Sequence, residues 1–308
     1  MTTALITHPD CLAHVMPQGH PEQVARLEHI LAALEGKNLL QVSAPLVAED
    51  DLLRVHPKAH IEAIRPAAPD HGFAALDGDT FMSPGTLQAA HRAAGAGTCA
   101  VDLVMNGEAT NAFIACRPPG HHAETARPMG FCLFGTVAIA AKYALDHHGL
   151  SRVAVLDFDV HHGNGTQDLL EDDARILFCS SHQMPLFPGT GAAHETGAHG
   201  NVLNVPLADG SGSAEFRQAW ENVILPAVDR FAPELIIVSA GFDAHRADPL
   251  AGINLETGDF AWVTGKICDL ADQHCQGRVI SNLEGGYDLE ALAQSAAAHV
   301  DVLIKREA

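Results

Sequence analysis

Short apolar runs alternate along the chain with longer amphipathic or alanine-rich stretches. Several runs are continuously apolar and rich in β-branched residues, as is typical of strands buried on both faces of a parallel sheet. These runs comprise residues 4–7, 112–116, 153–158, 176–180, 202–205, 235–239 and 279–283. The predicted helices comprise residues 21–35, 84–105, 135–147, 214–230, 257–274 and 289–305. This alternation predicts an α/β sandwich with a mainly parallel sheet.

Nothing in the sequence divides the chain into parts. It has no internal repeat, low-complexity tract or Pro/Ser-rich linker, and its 308 residues, 47% of them hydrophobic, suffice for one large core. We therefore expect one domain over residues 1–308. The longest loop-like stretch, residues 184–200, is rich in Gly, Pro, Thr and His, and long loops in compact α/β domains are often functional.

The charge balance narrows the choice of partners. The chain has 38 acidic and 18 basic residues, a formal net charge of −20. Such a chain repels nucleic acid and anionic membrane surfaces, so we expect neither as a partner. An acidic surface suits a cationic substrate, although it also serves solubility alone.

The cysteines and the N-terminus bear on the compartment. Seven cysteines are scattered without any C-x-x-C spacing, which indicates free thiols in a reducing compartment. The first residues lack the pattern of a signal peptide, and no run approaches the ~20 apolar residues that span a bilayer. We expect a soluble, cytoplasmic protein. Whether it forms oligomers is left open by the sequence.

The segment LDFDVHHGNGT, residues 156–166, carries the clearest chemical signal. If its strand stays extended, Asp157, Asp159 and His161 share one face at the strand's carboxyl end. Such groups are costly to bury without a cation. Asp243 follows another apolar strand, and parallel sheets bind ligands at this edge. The alternative is that these are exposed loop residues capping the next helix.

Two carboxylates and one imidazole that leave coordination positions open are typical of a catalytic metal centre. Structural zinc sites are closed by four protein ligands, usually including sulfur. The same donors also suit Mn²⁺ or Fe²⁺, so ligand type alone does not decide the metal. A cation bound there would lower the pKa of water towards ~7.

Of the 20 histidines, three adjacent pairs stand out: His121–His122, His147–His148 and His161–His162. The first pair follows the turn RPPG at a strand's end, where two imidazoles can exchange protons with reactants. Each imidazole then needs an orienting partner, and Asp157 and Asn164 are the candidates.

Tyr287 also ends such a strand. It follows the Gly-Gly pair of NLEGGY, where its hydroxyl would donate to a developing oxyanion.

Together these motifs resemble the zinc-dependent histone deacetylase superfamily. The resemblance rests on RPPGHH, the GFC at 130–132, LDFDVHHGNGTQ, LFPGTG, AGFDAHRADPLAGI and EGGY, in the family's order, and extends to HPE at 20–22 and DGDTFMSPG at 77–85. Asn164 makes the chain most similar to class II deacetylases and their bacterial relatives. The resemblance implies the arginase–deacetylase fold, an eight-stranded mainly parallel sheet in a three-layer sandwich.

The resemblance also implies a role for each matching residue. The residues that it implies as zinc ligands are Asp159, His161 and Asp243. It implies that His122, the second of the tandem histidines, is the base and that Asp157 lies behind His121. It implies that Tyr287 polarises the scissile carbonyl. It implies a structural K⁺ held by Asp157, Asp159, His161, Ser180 and Ser181. It implies a narrow substrate tunnel lined by Gly130, Phe131 and Phe187, with Leu250 and Asp79 among its substrate-binding residues.

The activity so implied is removal of acetyl or other acyl groups from lysine-like amines. The first alternative is an acetylpolyamine or small-amide hydrolase, which the acidic surface favours and Leu250, in place of a Glu, opposes. An arginase-like binuclear manganese enzyme needs further carboxylates where His162 and Gly163 stand. A non-catalytic reader of acyl-lysine would not need the complete set of ligands, histidines and tyrosine.

Overall fold

The computed structural model describes residues 2–306. Its centre is an eight-stranded sheet in which every strand pairing is parallel. The strand order is β2-β1-β5-β10-β9-β6-β7-β8. These strands are β1 (Thr3–Thr7), β2 (Leu40–Ser43), β5 (Asn111–Ile114), β6 (Val153–Asp157), β7 (Ile176–Gln183), β8 (Val202–Leu207), β9 (Leu235–Ala240) and β10 (Val279–Leu283). The predicted α/β fold with a parallel sheet is confirmed.

Helices flank this sheet. They are α1 (Val24–Leu34), α2 (Glu49–Leu52), α3 (Lys58–Ala67), α4 (Thr86–Met105), α5 (Thr136–His147), α6 (Asn164–Leu170), α7 (Ser213–Ala219), α8 (Leu225–Phe231), α9 (Thr257–His274) and α10 (Leu289–Lys305). Helices α4 and α5 pack on each other, and α10 packs between α1 and α9. Among residues 2–306, no helix is long and apolar enough to cross a membrane.

Several elements differ from the sequence prediction. The edge strand β2 was not predicted, because three of its four residues are exposed and it lacks a buried apolar run. The two-residue strands β3 (Ala74–Ala75) and β4 (Phe81–Met82) form a separate antiparallel pair. The predicted helix 214–230 is divided into α7 and α8 by a π-helical turn, Trp220–Ile224.

The strand order explains where the chemistry collects. The four central strands β5, β10, β9 and β6 are neighbours in the sheet, although they lie far apart in sequence. All are fully buried. Because parallel strands end at one edge, the loops after these four strands meet there, and each loop carries polar residues singled out by the sequence.

Candidate active site

Asp159, His161 and Asp243 lie together at this carboxyl edge, and all three are buried. One potential ligand atom of each lies within 4.8 Å of those of the other two. Nδ1 of His161 lies 3.2 Å from Oδ1 of Asp159 and 3.1 Å from Oδ2 of Asp243. One cation bonded to all three at about 2.0–2.2 Å would bridge such separations. The structure thus brings together the three residues that the sequence predicts as metal ligands.

The electrostatics of this cluster favour a cation. Burial and the neighbouring Asp159 raise the pKa of Asp243 to about 7. Burial opposes protonation of His161, but its hydrogen bonds to Asp159 and Asp243 outweigh burial and raise the pKa of His161 to about 10. Both shifts arise because two carboxylates are held together away from water. A bound metal ion would supply the positive charge that protons otherwise supply.

Two glycines leave room beside the carboxylates. A Cβ atom at Gly241 would lie 2.0 Å from Oδ2 of Asp159. A Cβ atom at Gly285 would lie 2.0 Å from Oδ2 of Asp243 and 2.6 Å from Oδ2 of Asp159. Any side chain at either position would displace a ligand atom. Gly285 also donates its backbone N–H to Asp159 Oδ2 at 2.8 Å, which helps to hold that carboxylate in place.

The segment from Asp157 to His161 is not the extended strand that the sequence prediction required. β6 ends at Asp157, and the chain then turns, because Oδ1 of Asp157 accepts the N–H of Asp159 at 3.0 Å. Oδ1 of Asp159 accepts the N–H of His161 at 2.9 Å in the same way. Such local side-chain bonds compete with the strand ladder and bend the backbone. The alternative of exposed loop residues is wrong, since Asp157 and Asp159 are completely buried.

His121 is held by a buried carboxylate. Its Nδ1 atom lies 3.0 Å from Oδ2 of Asp157, and its Nε2 atom lies 3.7 Å from Oδ2 of Asp159. Burial alone would lower the pKa of His121, but Asp159 and Asp157 raise it to about 10. The two carboxylates therefore favour the protonated form of His121.

His122 has the opposite character. Its Nδ1 atom lies 2.7 Å from Oδ1 of Asn164, whose amide nitrogen donates to Oε1 of Glu124 at 2.7 Å. Burial, reinforced by the positive charges of His121 and His161, keeps the pKa of His122 well below its usual range. The two orienting partners predicted from the sequence, Asp157 and Asn164, thus serve one histidine each.

Tyr287 is fixed from its backbone and from its ring. Its N–H donates to Oδ2 of Asp248 at 2.7 Å, and the guanidinium of Arg26 lies 4.9 Å from its ring centroid. Arg26 also donates to the backbone oxygens of Glu284 and Gly286, at 2.5 and 2.6 Å. Burial raises the pKa of the Tyr287 hydroxyl well above its usual value, so the group stays protonated as a donor.

A cavity of about 380 Å³ joins this cluster to the surface. Its lining includes His122, His161 and Tyr287, together with all five residues predicted to contact substrate: Asp79, Gly130, Phe131, Phe187 and Leu250. The rings of Phe187 and His122 meet edge to face at 5.1 Å, and those of Phe131 and Tyr287 at 6.0 Å. Phe187 is 41% exposed and therefore lies at the mouth.

Comparison with known proteins identifies this arrangement. The histone deacetylase domain family matches residues 20–303. The chain belongs to the histone deacetylase family. The resemblance stated from the sequence is therefore confirmed, and the protein is a hydrolase of amide bonds with deacetylase activity.

Relatives of this deacetylase include bacterial, archaeal and plant proteins. A histone deacetylase-like amidohydrolase of Pseudomonas aeruginosa is 42% identical over 272 residues, which cover 87% of this chain and 71% of the relative. Histone deacetylase 10, chloroplastic, of Oryza sativa subsp. japonica is 42% identical over 303 residues, covering 91% of this chain and 68% of the relative. The crystal structure of the HDA15 HD domain matches with a TM-score of 0.94 and 34% identity, over 99% of this chain and 89% of that one.

The residues predicted to hold K⁺ also lie close together in the deacetylase. Asp157 is the register partner of Ser180 on β7, and Ser181 follows. The Ser180 hydroxyl lies 2.8 Å from Nδ1 of His182, and the Ser181 hydroxyl accepts from Trp220 Nε1 at 3.0 Å. All five residues predicted to hold K⁺ are buried.

The sequence reasoning missed Glu284 of the deacetylase. This buried carboxylate follows β10 and accepts the N–H groups of Gly120 and His121, at 2.7 and 3.2 Å. Asn282 donates to its other oxygen at 2.7 Å. Glu284 thereby fixes the backbone of the tandem histidines. Its place directly after a buried strand was a usable signal, since that is where the predicted ligands also lie.

His20 and Asp248 were missed as well. His20 lines the cavity and lies 2.9 Å from the backbone oxygen of Asp79 through Nε2. Asp248, which holds Tyr287, lies within the AGFDAHRADPLAGI motif that the sequence analysis quoted, but no local pattern distinguishes it from a loop residue.

Proposed function

We propose that the protein is a zinc-dependent deacetylase that hydrolyses acyl-lysine-like amides within one catalytic domain. The observation that carries this proposal is the cavity itself. It leads from the surface, between Phe131 and Phe187, to a buried end lined by His122, His161 and Tyr287. A largely apolar passage that ends at these polar groups suits a methylene chain that carries an amide.

Asp159, His161 and Asp243 are the residues that would hold the zinc ion. Two carboxylates, one imidazole and the room left by Gly241 and Gly285 fit a single small divalent ion. When bound, zinc supplies a Lewis acid that polarises the amide carbonyl and lowers the pKa of water towards ~7. Fe²⁺ accepts the same donors, and metal analysis of the active protein distinguishes the two.

His122 is the general base of the proposed reaction. Its Nδ1–H is engaged by Asn164, so its Nε2 atom is free to take a proton from the attacking water. The low pKa of His122 keeps it neutral before the reaction. Because His122 lines the cavity and His121 does not, His122 would also return the proton to the leaving amine.

His121 and Tyr287 stabilise the negative charge that develops during the proposed reaction. The imidazolium of His121, paired with Asp157, supplies a fixed positive charge beside the reacting groups. The Tyr287 hydroxyl donates to the carbonyl oxygen as negative charge develops on it. Arg26 and Asp248 position Tyr287 for this contact.

The buried polar residues on β6, β7 and the loop after β6 are candidates to bind a monovalent cation. We propose that Asp157, Asp159, His161, Ser180 and Ser181 hold a structural K⁺. The support is that Asp157 and Ser180 are neighbours on adjacent strands, that both are buried, and that each side chain carries oxygen. Such an ion would offset the charge of Asp157 and steady the turn that carries the zinc ligands.

The rim favours acyl-lysine over acetylpolyamine. Leu250 lines the cavity as an apolar side chain, which offers nothing to a second amine of a polyamine. Asp79 also lines the cavity, and its carboxylate would accept hydrogen bonds from backbone N–H groups of a peptide substrate.

The cysteines suit a reducing compartment such as the cytoplasm. All seven are free thiols, and six of them are buried.

Steady-state kinetics test the proposal. An acetyl-lysine peptide and acetylspermidine are compared on the zinc-loaded protein. We expect the higher kcat/KM for the peptide. A higher kcat/KM for acetylspermidine would replace the proposed substrate class, and no hydrolysis of either would refute the proposed activity.

A further inference from the structure

A second group of metal-type ligands lies away from the active site. Asp102 lies in the last turn of α4, His147 is the last residue of α5, and His148 follows it. One potential ligand atom of each lies within 4.8 Å of those of the other two. The pair His147–His148 is one of the three adjacent histidine pairs in the sequence, and nothing in the proposed mechanism uses it.

This group lies at the opposite edge of the sheet from the active site. α4 and α5 run back from the carboxyl edge, and their C-terminal ends lead into the first residues of β5 and β6. The zinc ligands follow the last residues of β6 and β9. A ligand bound at Asp102 would therefore be separated from the catalytic cavity by the length of the strands.

Tyr143 organises the three side chains. Its hydroxyl donates to Oδ1 and Oδ2 of Asp102 at 3.1 and 3.3 Å. Its ring stacks on that of His147, with centroids 4.7 Å apart and an interplanar angle of 13°. His148 meets the same ring edge to face at 5.8 Å, and its Nε2 lies 2.8 Å from Oδ1 of Asp102. Metal ligands are commonly oriented by such neighbouring groups.

Within residues 2–306, the one ion-pair partner of Asp102 is His148, whose Nε2 lies 2.8 Å from Oδ1. The nearby guanidinium of Arg54 pairs with Asp51 and Asp146, at 2.9 and 3.1 Å, and Arg175 also pairs with Asp146. The C-terminal ends of α4 and α5 carry partial negative charge, which favours a cation within their last turn. His147 is exposed, so solvent reaches the group and can complete a coordination shell.

We propose that Asp102, His147 and His148 form a second site, which binds one divalent transition-metal ion. Two imidazole nitrogens and one carboxylate oxygen suit Zn²⁺, Co²⁺, Ni²⁺ or Cu²⁺ and not Mg²⁺ or Ca²⁺. On binding, the metal replaces the direct contact between His148 and Asp102, and it ties the ends of α4 and α5 together. The proposal does not depend on the proposed catalytic mechanism.

Calorimetric titration with Ni²⁺ tests this site on protein that carries one equivalent of zinc per chain. We expect the protein to take up one equivalent of Ni²⁺ while its zinc content stays constant. Asp102→Asn and His147→Ala each remove a ligand and should weaken Ni²⁺ binding more than Tyr143→Phe, which leaves all three ligands in place and should weaken it by ~10–100-fold. His71→Ala, which removes another exposed histidine, is the matched control and should leave Ni²⁺ affinity unchanged.

Three results would overturn the proposal. The first is the absence of an additional equivalent of Ni²⁺. The second is nickel uptake that occurs only as zinc is released, which would be exchange at the active site. The third is equal Ni²⁺ affinity in wild type, Asp102→Asn and His147→Ala, which would make the cluster an ordinary contact between two helices. Circular dichroism and the deacetylase rate of each variant show whether it is folded.

Discussion

Nδ1 of His122 lies 2.7 Å from Oδ1 of Asn164, and this contact fixes which nitrogen of His122 carries the proton. The amide of Asn164 cannot be reversed, because its nitrogen donates to the carboxylate of Glu124 at 2.7 Å. Its oxygen must therefore accept the N–H of His122. The lone pair of His122 is left on Nε2, which is the arrangement that a general base requires.

An Asn164→Asp variant tests this relationship. A carboxylate in place of the amide oxygen would stabilise the imidazolium of His122 and raise its pKa from its present low value. Because the base must be neutral, the acid limb of the kcat/KM–pH profile should move to higher pH. An acid limb at the wild-type position, or at lower pH, would contradict the assignment of His122 as the base.

A Tyr287→Phe variant tests the oxyanion donor. The substitution removes the one hydroxyl and keeps the ring that packs against Phe131 and Arg26. We expect kcat to fall by roughly 10²–10³, with zinc content unchanged. Single-turnover kinetics and metal analysis on the same preparation check this. Full activity with intact zinc would remove Tyr287 from the mechanism.

A Gly285→Ala variant tests the room around the metal. The added methyl group would lie 2.0 Å from Oδ2 of Asp243, so that carboxylate would have to move. We expect zinc affinity to fall at least ~10-fold, as for other disruptions of ligand placement. Gly265→Ala is the matched control: its Cβ meets nothing within 4 Å, and Ala in mid-helix should stabilise the fold by about 0.4–1 kcal/mol. Equal zinc affinities in the two variants would contradict the assignment.

A His56→Ala variant tests the support of the cavity wall. Nε2 of His56 accepts the N–H of Gly135 at 2.9 Å, and Nδ1 donates to the backbone oxygen of Thr125 at 3.1 Å. His56 thus joins both ends of the segment that carries Gly130 and Phe131. Leaving the N–H of Gly135 buried and unpaired should cost about 1–3 kcal/mol of the free energy of unfolding.

The kinetic effect of His56→Ala should be mainly on KM, because the reacting groups keep their partners. His91→Ala is the control, since within residues 2–306 the His91 ring forms a single hydrogen bond, to the backbone oxygen of Leu87 in its own helix. Denaturant unfolding and steady-state kinetics measure both effects. A His56→Ala protein as stable as His91→Ala, with wild-type KM, would refute this role.

Zinc binding should become stronger as pH rises. In the metal-free protein, protons occupy His161, whose pKa is about 10, and part of Asp243, whose pKa is about 7. Zinc must displace these protons, so zinc and protons compete for the same ligand atoms. The pKa of Asp243 is higher in the folded protein than in the unfolded chain. Protonation of Asp243 therefore contributes fully to the stability of the metal-free fold below pH ~4, and this contribution is lost as pH rises through about 7.

The increase in Tm on adding zinc should therefore be larger at pH 8 than at pH 6. Differential scanning calorimetry of chelator-treated and zinc-loaded protein measures it. A constant increase across this range, or one that shrinks with pH, would contradict the assignment of these two groups as ligands.

The central sheet and the grouping of Asp159, His161 and Asp243 were predictable for one reason. β6 and β9 begin with continuous apolar runs, VAVL and LIIV, and the polar residues that follow such a strand lie at the carboxyl edge of the sheet. Asp159, His161 and Asp243 follow from this rule, even though β6 ends at Asp157 and local turns, not an extended strand, group the side chains. The edge strand β2 has no such run, and so it escaped prediction.

The supporting residues were not predictable in this way. Glu284 binds backbone groups 163 and 164 residues away in sequence, and Arg26 binds carbonyls 258 and 260 residues away. His56 binds the N–H of Gly135 from 79 residues away. Contacts of this kind leave no periodic pattern in the chain, since they depend on how the loops cross after the sheet has formed.

Metal content and turnover measured in the same samples test the central claim most directly. The account predicts that chelator-treated protein neither holds zinc nor deacetylates an acetyl-lysine peptide, that added zinc restores both, and that Asp243→Asn regains neither tightly held zinc nor turnover. Deacetylation at the wild-type rate by the chelated protein, or by Asp243→Asn, would contradict it.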